Sequence, residues 1–350
     1  MSKEIDECGA AHMSRQYARI LPVFPLSSMI RNSSLILQVY PVVRLLLFVC
    51  GLLVTLHAAE PFSVIVLPDT QNYVKGEGAA EKFLAQTKWI KENVKALNIK
   101  AVIHEGDITD DNSPGQWAKA KASLALLDGV IAWVPCVGNH DIGHNGPATS
   151  LLSEYFPEAE LAKARGWGGK MPGADCFWYE FEGGGQSYLI LSLNLGPSDA
   201  MLEWADGIIA SHPDHQVIMV THEYVGKDGA LSTKDTTKNA TAYGKHADGS
   251  SRNPGQDVWE KHVRKHKNYL MVLNGHYDGI AARNAMKGDH GNTVHQMMAN
   301  YQYSPGGGNG FLRILRFLPD EKTCHVETYS PFLDERLGDD ANTFRLDVSN

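Results

Sequence analysis

Five times along this chain an apolar run stops on residues that bind metals. Residues 64–71 end in Asp69-Thr70-Gln71, and 101–110 end in Gly106-Asp107-Ile108-Thr109-Asp110. The run at 130–137 is followed by Gly138-Asn139-His140-Asp141, residues 217–222 end on His222, and 269–278 end in Gly275-His276-Tyr277-Asp278. Short continuous apolar runs bounded by turn residues predict buried strands. Between the first two runs, Phe83, Thr87, Ile90, Val94 and Leu97 recur at helical spacing, predicting a helix over 79–100. Ser113-Pro114 marks a second helix start, running through Leu127 to the third strand. The result is two successive strand, helix, strand units, the pattern of a parallel sheet.

Beyond this the period changes again. Residues 142–175 are glycine-rich and irregular, with a short helix predicted around 151–156. Two alternating stretches, 177–181 and 187–193, flank Gly183-Gly184-Gly185 and predict a hairpin. Ser198 can cap a helix to about Ala210, and 255–267 predicts another amphipathic helix. Residues 223–254 show no apolar period, and a loop of that length is usually functional or disordered. Residues 311–318 and 323–329 alternate like a C-terminal hairpin. Five strands that deliver Asp, Asp, Asn, His and His at their carboxyl ends describe a site at the edge of an α/β sheet.

The first residues stand apart. A twelve-residue apolar run over 45–56, preceded by Arg31 and Arg44 and followed by His57-Ala58-Ala59, has the layout of a secretory signal peptide. The expectation is an N-terminal extension and signal over 1–59, with a possible true start at Met29, followed by a single domain over 60–350. The mature protein is then extracytoplasmic, periplasmic or secreted. The alternative is a short membrane anchor at 45–56, and membrane contact is expected only through this segment. Removal of residues 1–59 takes away five basic and three acidic side chains and moves the formal charge from −8 to −10. Such a surface lacks the basic clusters that general nucleic-acid binding needs. Cys136, Cys176 and Cys324 form neither a disulfide framework nor a zinc pair.

Asp-x-Gln, Gly-Asp-x-x-Asp, Gly-Asn-His-Asp, a strand-terminal His and Gly-His-x-Asp, in this order, resemble the calcineurin-like metallophosphoesterase superfamily over roughly residues 62–330. The resemblance implies an α/β fold of two mixed β-sheets packed as a sandwich and flanked by helices. It implies two divalent metal ions, of manganese, iron or zinc. Asp107 would bridge them; Asn139, His222 and His276 would complete one site, and Asp69, Gln71 and Asp278 would hold the other. His140, oriented by Asp110, would act on the leaving oxygen or the phosphoryl group. Gln71 and Asp278 depart from the histidines usual at those places, so the first site is expected to be made of oxygen ligands alone. Asp111 stands where the Ser/Thr protein phosphatase branch carries an arginine. Asp110 stands where purple acid phosphatases carry a tyrosine, so a charge-transfer colour is not expected. The implied substrate is a phosphoester small molecule or a phosphorylated substrate. A phospholigand-binding or accessory envelope protein on the same fold is the alternative. His104 is expected to lie buried behind the site, and His212, His215, His262 and His266 to be solvated.

Overall fold

The structure, a computed structural model, describes residues 59–76, 78–143, 148–319 and 322–349. The expected signal segment, the alternative anchor and Met29 lie outside the described residues. In chain order the elements begin with β1 (Phe62–Leu67), α1 (Gln71–Val74), α2 (Ala80–Asn93), β2 (Ile99–His104), α3 (Pro114–Leu124) and β3 (Trp133–Val134). There follow α4 (Leu152–Tyr155), α5 (Glu158–Leu161), β4 (Trp167–Lys170), β5 (Phe177–Gly183), β6 (Gln186–Ser192), α6 (Asp199–Ser211) and β7 (Gln216–Val220). The chain closes with α7 (Gly255–Lys261), β8 (Tyr269–Asn274), β9 (Ala281–Lys287), β10 (Thr293–Ala299), β11 (Leu312–Leu318), β12 (Thr323–Ser330), β13 (Glu335–Leu337) and β14 (Phe344–Asp347).

These strands form two mixed sheets. One has the order β13-β12-β11-β1-β2-β3, with β14 also on β12; the other runs β4-β5-β6-β7-β8-β10-β9. In the first, β1, β2 and β3 are parallel and β11 returns antiparallel on β1. In the second, β6, β7, β8 and β10 are parallel, with antiparallel strands at both edges. The α/β sandwich that the motifs imply is therefore present.

Period-two alternation divides the interior. On β7, Ile218 and Val220 face the main core shared with β1, β2 and β11, whereas Val217 and Met219 pack in a second cluster with Leu202, Ile209 and Val258 from α6 and α7. Phe62 stacks on Phe317 at 4.6 Å, and Tyr188 of the other sheet closes on Phe62 at 5.3 Å. Each such ring removed from water contributes about 1.5–3 kcal/mol. Among the described residues no helix is long and apolar enough to cross a membrane.

Several boundaries differ from the sequence reading. The first long helix stops at Asn93 rather than Lys100, because Asn98 adopts φ 47° and its amide donates to Pro61 O, turning the chain into β2. Of residues 130–137 only Trp133 and Val134 pair as a strand. Strand β4 falls in the stretch expected to be irregular: Gly168 lets the Trp178 indole lie against its backbone, where a Cβ would come within 2.2 Å of the ring. Residues 223–254 are not a disordered loop. They bury Tyr224, Val225, Ala240, Arg252 and Asn253, and pin a 3₁₀ turn over Ala240–Tyr243.

Candidate metal centre

The carboxyl ends of β1, β2 and β3 in one sheet and of β7 and β8 in the other meet, and five of the motif residues converge there. Two of them sit in the left-handed region, Asp107 at φ 48° and His276 at φ 75°. That conformation costs about 1–3 kcal/mol for a side chain of this kind and concentrates at functional sites. The loops also approach at distances only glycine allows. A Cβ on Gly138 would come within 2.2 Å of Asp107 Oδ1, and one on Gly275 within 2.0 Å of Asp69 Oδ1.

His222 is the hub. Its Nδ1–H donates to Glu105 O at 2.8 Å, which leaves the Nε2 lone pair facing inward. Around Nε2 stand Asp107 Oδ2 at 3.1 Å, Asn139 Oδ1 at 3.1 Å and His276 Nδ1 at 3.3 Å. His276 is arranged the same way, with Nε2–H donating to Lys238 O at 2.7 Å and Nδ1 turned in. An outer N–H tied to a carbonyl and an inner lone pair is how ligating imidazoles are oriented. A single proton on Nε2 can serve only one of three surrounding acceptors; a cation among them satisfies all four atoms. Asp107, His222 and His276 are buried, and their ligand atoms all lie within 4.8 Å of one another. The donor set of carboxylate, amide oxygen and two imidazoles fits a divalent transition metal.

Charge points the same way. Burial pushes Asp69 well above the usual carboxylate range; His222 pulls it down and Asp107 pushes it further up. Asp107 feels the same burial, but His222, His140 and His276 outweigh it and hold the carboxyl below its ordinary value. Burial would lower His222, yet Asp107 and Asp69 raise it. Two buried carboxylates thus draw on one imidazole for positive charge, an imbalance that a cation relieves.

The other side of the centre differs from expectation. Asp69 Oδ2 accepts from Asn300 Nδ2 at 2.9 Å and from Gln302 Nε2 at 3.0 Å, and both its oxygens accept from His276 N at 3.3 Å. Gln71 Nε2 donates to Gln302 Oε1, and Gln71 Oε1 is buried with no hydrogen-bond partner. Asn300 and Gln302 were missed in the sequence, although they follow β10 just as the motif residues follow their strands. Asp278 corrects the expected ligand set. Its half-exposed carboxylate pairs with Lys227 at 3.7 Å and Lys238 at 3.9 Å, and it does not join the group. The physical reason is its neighbour: Tyr277 turns inward to donate to Glu223 Oε1 at 2.6 Å, leaving Asp278 on the outer side.

His140 is held beside the group. Its backbone N–H donates to Asp107 Oδ1 at 2.9 Å, and its ring Nδ1 lies 2.6 Å from the backbone oxygen of Asp110. The Asp110 carboxylate is farther, 3.5 Å, and is engaged by Lys75 at 2.6 Å. Asp110 therefore orients His140 through its carbonyl more than through its acid. Asp141 ties the Asp107 and Asn139 loops together, accepting from Gly138 N at 3.0 Å, Ile108 N at 3.1 Å and Thr109 N at 2.7 Å. His104 is buried, 3.0 Å from Thr70 Oγ1.

Residues 62–277 match the sequence profile of the calcineurin-like phosphoesterases. The chain belongs to the calcineurin-like phosphoesterase family. Asn300 and Gln302 fall beyond the matched region. The chain is 32% identical over 295 residues to the uncharacterized protein YvnB of Bacillus subtilis (strain 168), covering 82% of this chain and 21% of that protein. It thus spans about a fifth of that relative's length. In fold it is similar to the purple acid phosphatase PPD1 of yellow lupin (Lupinus luteus) seeds, with a TM-score of 0.52 and 15% identity over 83% of this chain and 54% of that one. The family implies a binuclear metal centre, and the residues gathered here fit one.

Proposed function

We propose that this protein is an exported metal-dependent hydrolase of a phosphate mono- or diester. The observation that carries the reading is the inward Nε2 of His222, ringed by Asp107, Asn139 and His276 with every outer N–H already bonded. This set would hold one divalent cation and Asp69 with Gln71 a second; when bound, the pair would supply Lewis acidity for a nucleophilic water near neutral pH and offset charge on the phosphoryl oxygens.

The chain's own residues do the rest. Asp107 places one carboxylate oxygen at His222 and the other under the His140 amide, and Asp69 feels its charge, which supports a role shared between the two sides of the centre. The bond from His140 Nδ1 to Asp110 O fixes the ring's tautomer, so a proton given to the leaving oxygen moves through Nε2. Lys238, whose carbonyl orients His276, also lies 5.9 Å over the Tyr303 ring, so the 223–254 segment both builds the centre and supplies a cation beside it.

The test is metal content of the purified protein measured together with rates on aryl phosphate mono- and diesters, before and after chelation and reloading. Turnover that disappears on chelation and returns with metal supports the reading. Metal retained without turnover on any ester would favour the phospholigand-binding alternative, which the position of Asp278 among lysines rather than ligands supports.

A further inference from the structure

A second convergence of imidazoles and carboxylate lies far from the motifs. Asp206 on α6, His262 immediately after α7 and His266 four residues later bring three ligand atoms within 4.8 Å of one another. Asp206 Oδ1 is 2.5 Å from His262 Nδ1 and 2.7 Å from His266 Nε2. His262 is wholly buried, contrary to the solvated role expected of it; the side chains of His266 and Asp206 are 19% and 40% exposed. The group sits at the start of β8, whereas His276 follows its far end, on the order of 20 Å away at a strand's rise per residue.

The hydrogen bonds around His262 orient its ring as a ligand's would be oriented. Tyr269 Oη lies 2.6 Å from His262 Nε2 and 3.3 Å from Met219 Sδ, so its one proton can go to either. With that proton on Met219, Nε2–H donates to Tyr269 Oη and the Nδ1 lone pair faces Asp206 Oδ1, the state a cation needs; with it on Nε2, Nδ1–H donates to Asp206 Oδ1. A divalent ion would take the place of the Nδ1 proton. The ligand's outer N–H is meanwhile anchored, as metal-bound histidines require.

We infer that Asp206, His262 and His266 form a separate site for a divalent transition metal, with zinc the best match. Two imidazoles spaced His-x-x-x-His and one carboxylate supply three protein ligands, and the exposed side leaves a fourth position for water. Such a site clamps α6 to the connection between α7 and β8, and its role is structural.

The probe is zinc on the whole chain, stripped by chelator and reloaded, with His266→Ala and Asp206→Asn compared with wild type. Each variant is expected to bind one equivalent less zinc than wild type and to lose the rise in thermal midpoint that zinc confers, while phosphoesterase turnover is retained. Cobalt loaded into Asp107→Asn, whose main centre is disabled, should still show the visible absorption of a tetrahedral site, and the double variant with His266→Ala should not. Asp206→Asn keeps the side-chain shape, so correct folding can be established even if one substitution is damaging. Equal zinc stoichiometry in wild type and both folded variants overturns the inference and leaves a metal-free hydrogen-bonded cluster, with a proton on His262 Nδ1.

Discussion

The two sides of the metal centre are built by different means. On the imidazole side, His222 and His276 are locked: each donates its outer N–H to a backbone carbonyl, so the lone pairs stand ready before any ion arrives. On the amide side, Asp69 is satisfied by donors, from Asn300, Gln302 and the His276 backbone. Coordination there exchanges those donors for a cation, and a half-turn of an amide presents its oxygen in place of its NH₂. One side is preorganised and the other must rearrange. The difference predicts that two ions would be held with unequal affinity, the amide side more weakly and with a preference for hard ions such as Mn(II) or Mg(II).

The strongest way to break that comparison is to remove what both sides share. Asp107→Asn should lower kcat/KM by ~1000-fold or more and strip both ions together, because its carboxylate serves each side. Metal analysis of the variant checks this, and retention of both ions would show that Asp107 is not shared. His140→Ala should instead cost ~100-fold in kcat with metal content unchanged, since the ring acts on the reacting group rather than on the ions. Equal metal loss in the two variants would remove His140 from its assigned role.

A smaller effect separates the sides directly. Gln302→Ala and Asn300→Ala should weaken retention of one ion by ~10-fold and spare the other, with activity restored by added manganese. A manganese titration of activity, set beside the zinc content of the same samples, gives the result. Simultaneous weakening of both ions would mean that the two sides are not independent.

How far the centre was legible follows the same division. The imidazole side could be read because each of its residues ends a conspicuous apolar run, and Asp107, Asn139 and His276 each stand next to a glycine that lets the loops approach. The amide side was hidden because Asn300 and Gln302 carry no motif and because β9, Ala281–Lys287, is written in small and polar residues with low strand preference. The register of β9 comes from its pairing with β10, a long-range contact that local periodicity does not encode. Had β10 been recognised, its end at Ala299 followed by Asn300 would have repeated the pattern of the other five strands. The distal histidines were misread for another reason. Val263-Arg264-Lys265 looks solvated, but the helix ends at Lys261 and a 3₁₀ turn rotates His262 inward. The C-terminal hairpin and the one over 177–192 were legible because alternation and turn glycines agree, with Gly184 and Gly185 at φ 59° and 79°.

The smallest expected effect is the sharpest on the ligand set itself. If Asp278 belongs outside the centre, its contribution is that of a half-exposed ion pair with Lys227 and Lys238, worth ~0–1 kcal/mol. Asp278→Ala should then change metal content not at all and kcat by less than ~2-fold, with a modest effect on KM because Lys238 is released beside the site. Asp278→His should likewise fail to draw zinc to the amide side, since a side chain at that position projects away from Asp69 while Tyr277 holds the turn against Glu223. Metal analysis of both variants under competing zinc and manganese decides the matter. Loss of one ion in Asp278→Ala would show that the turn reverses on metal binding, bringing the carboxylate in and making the amide side as complete as its partner.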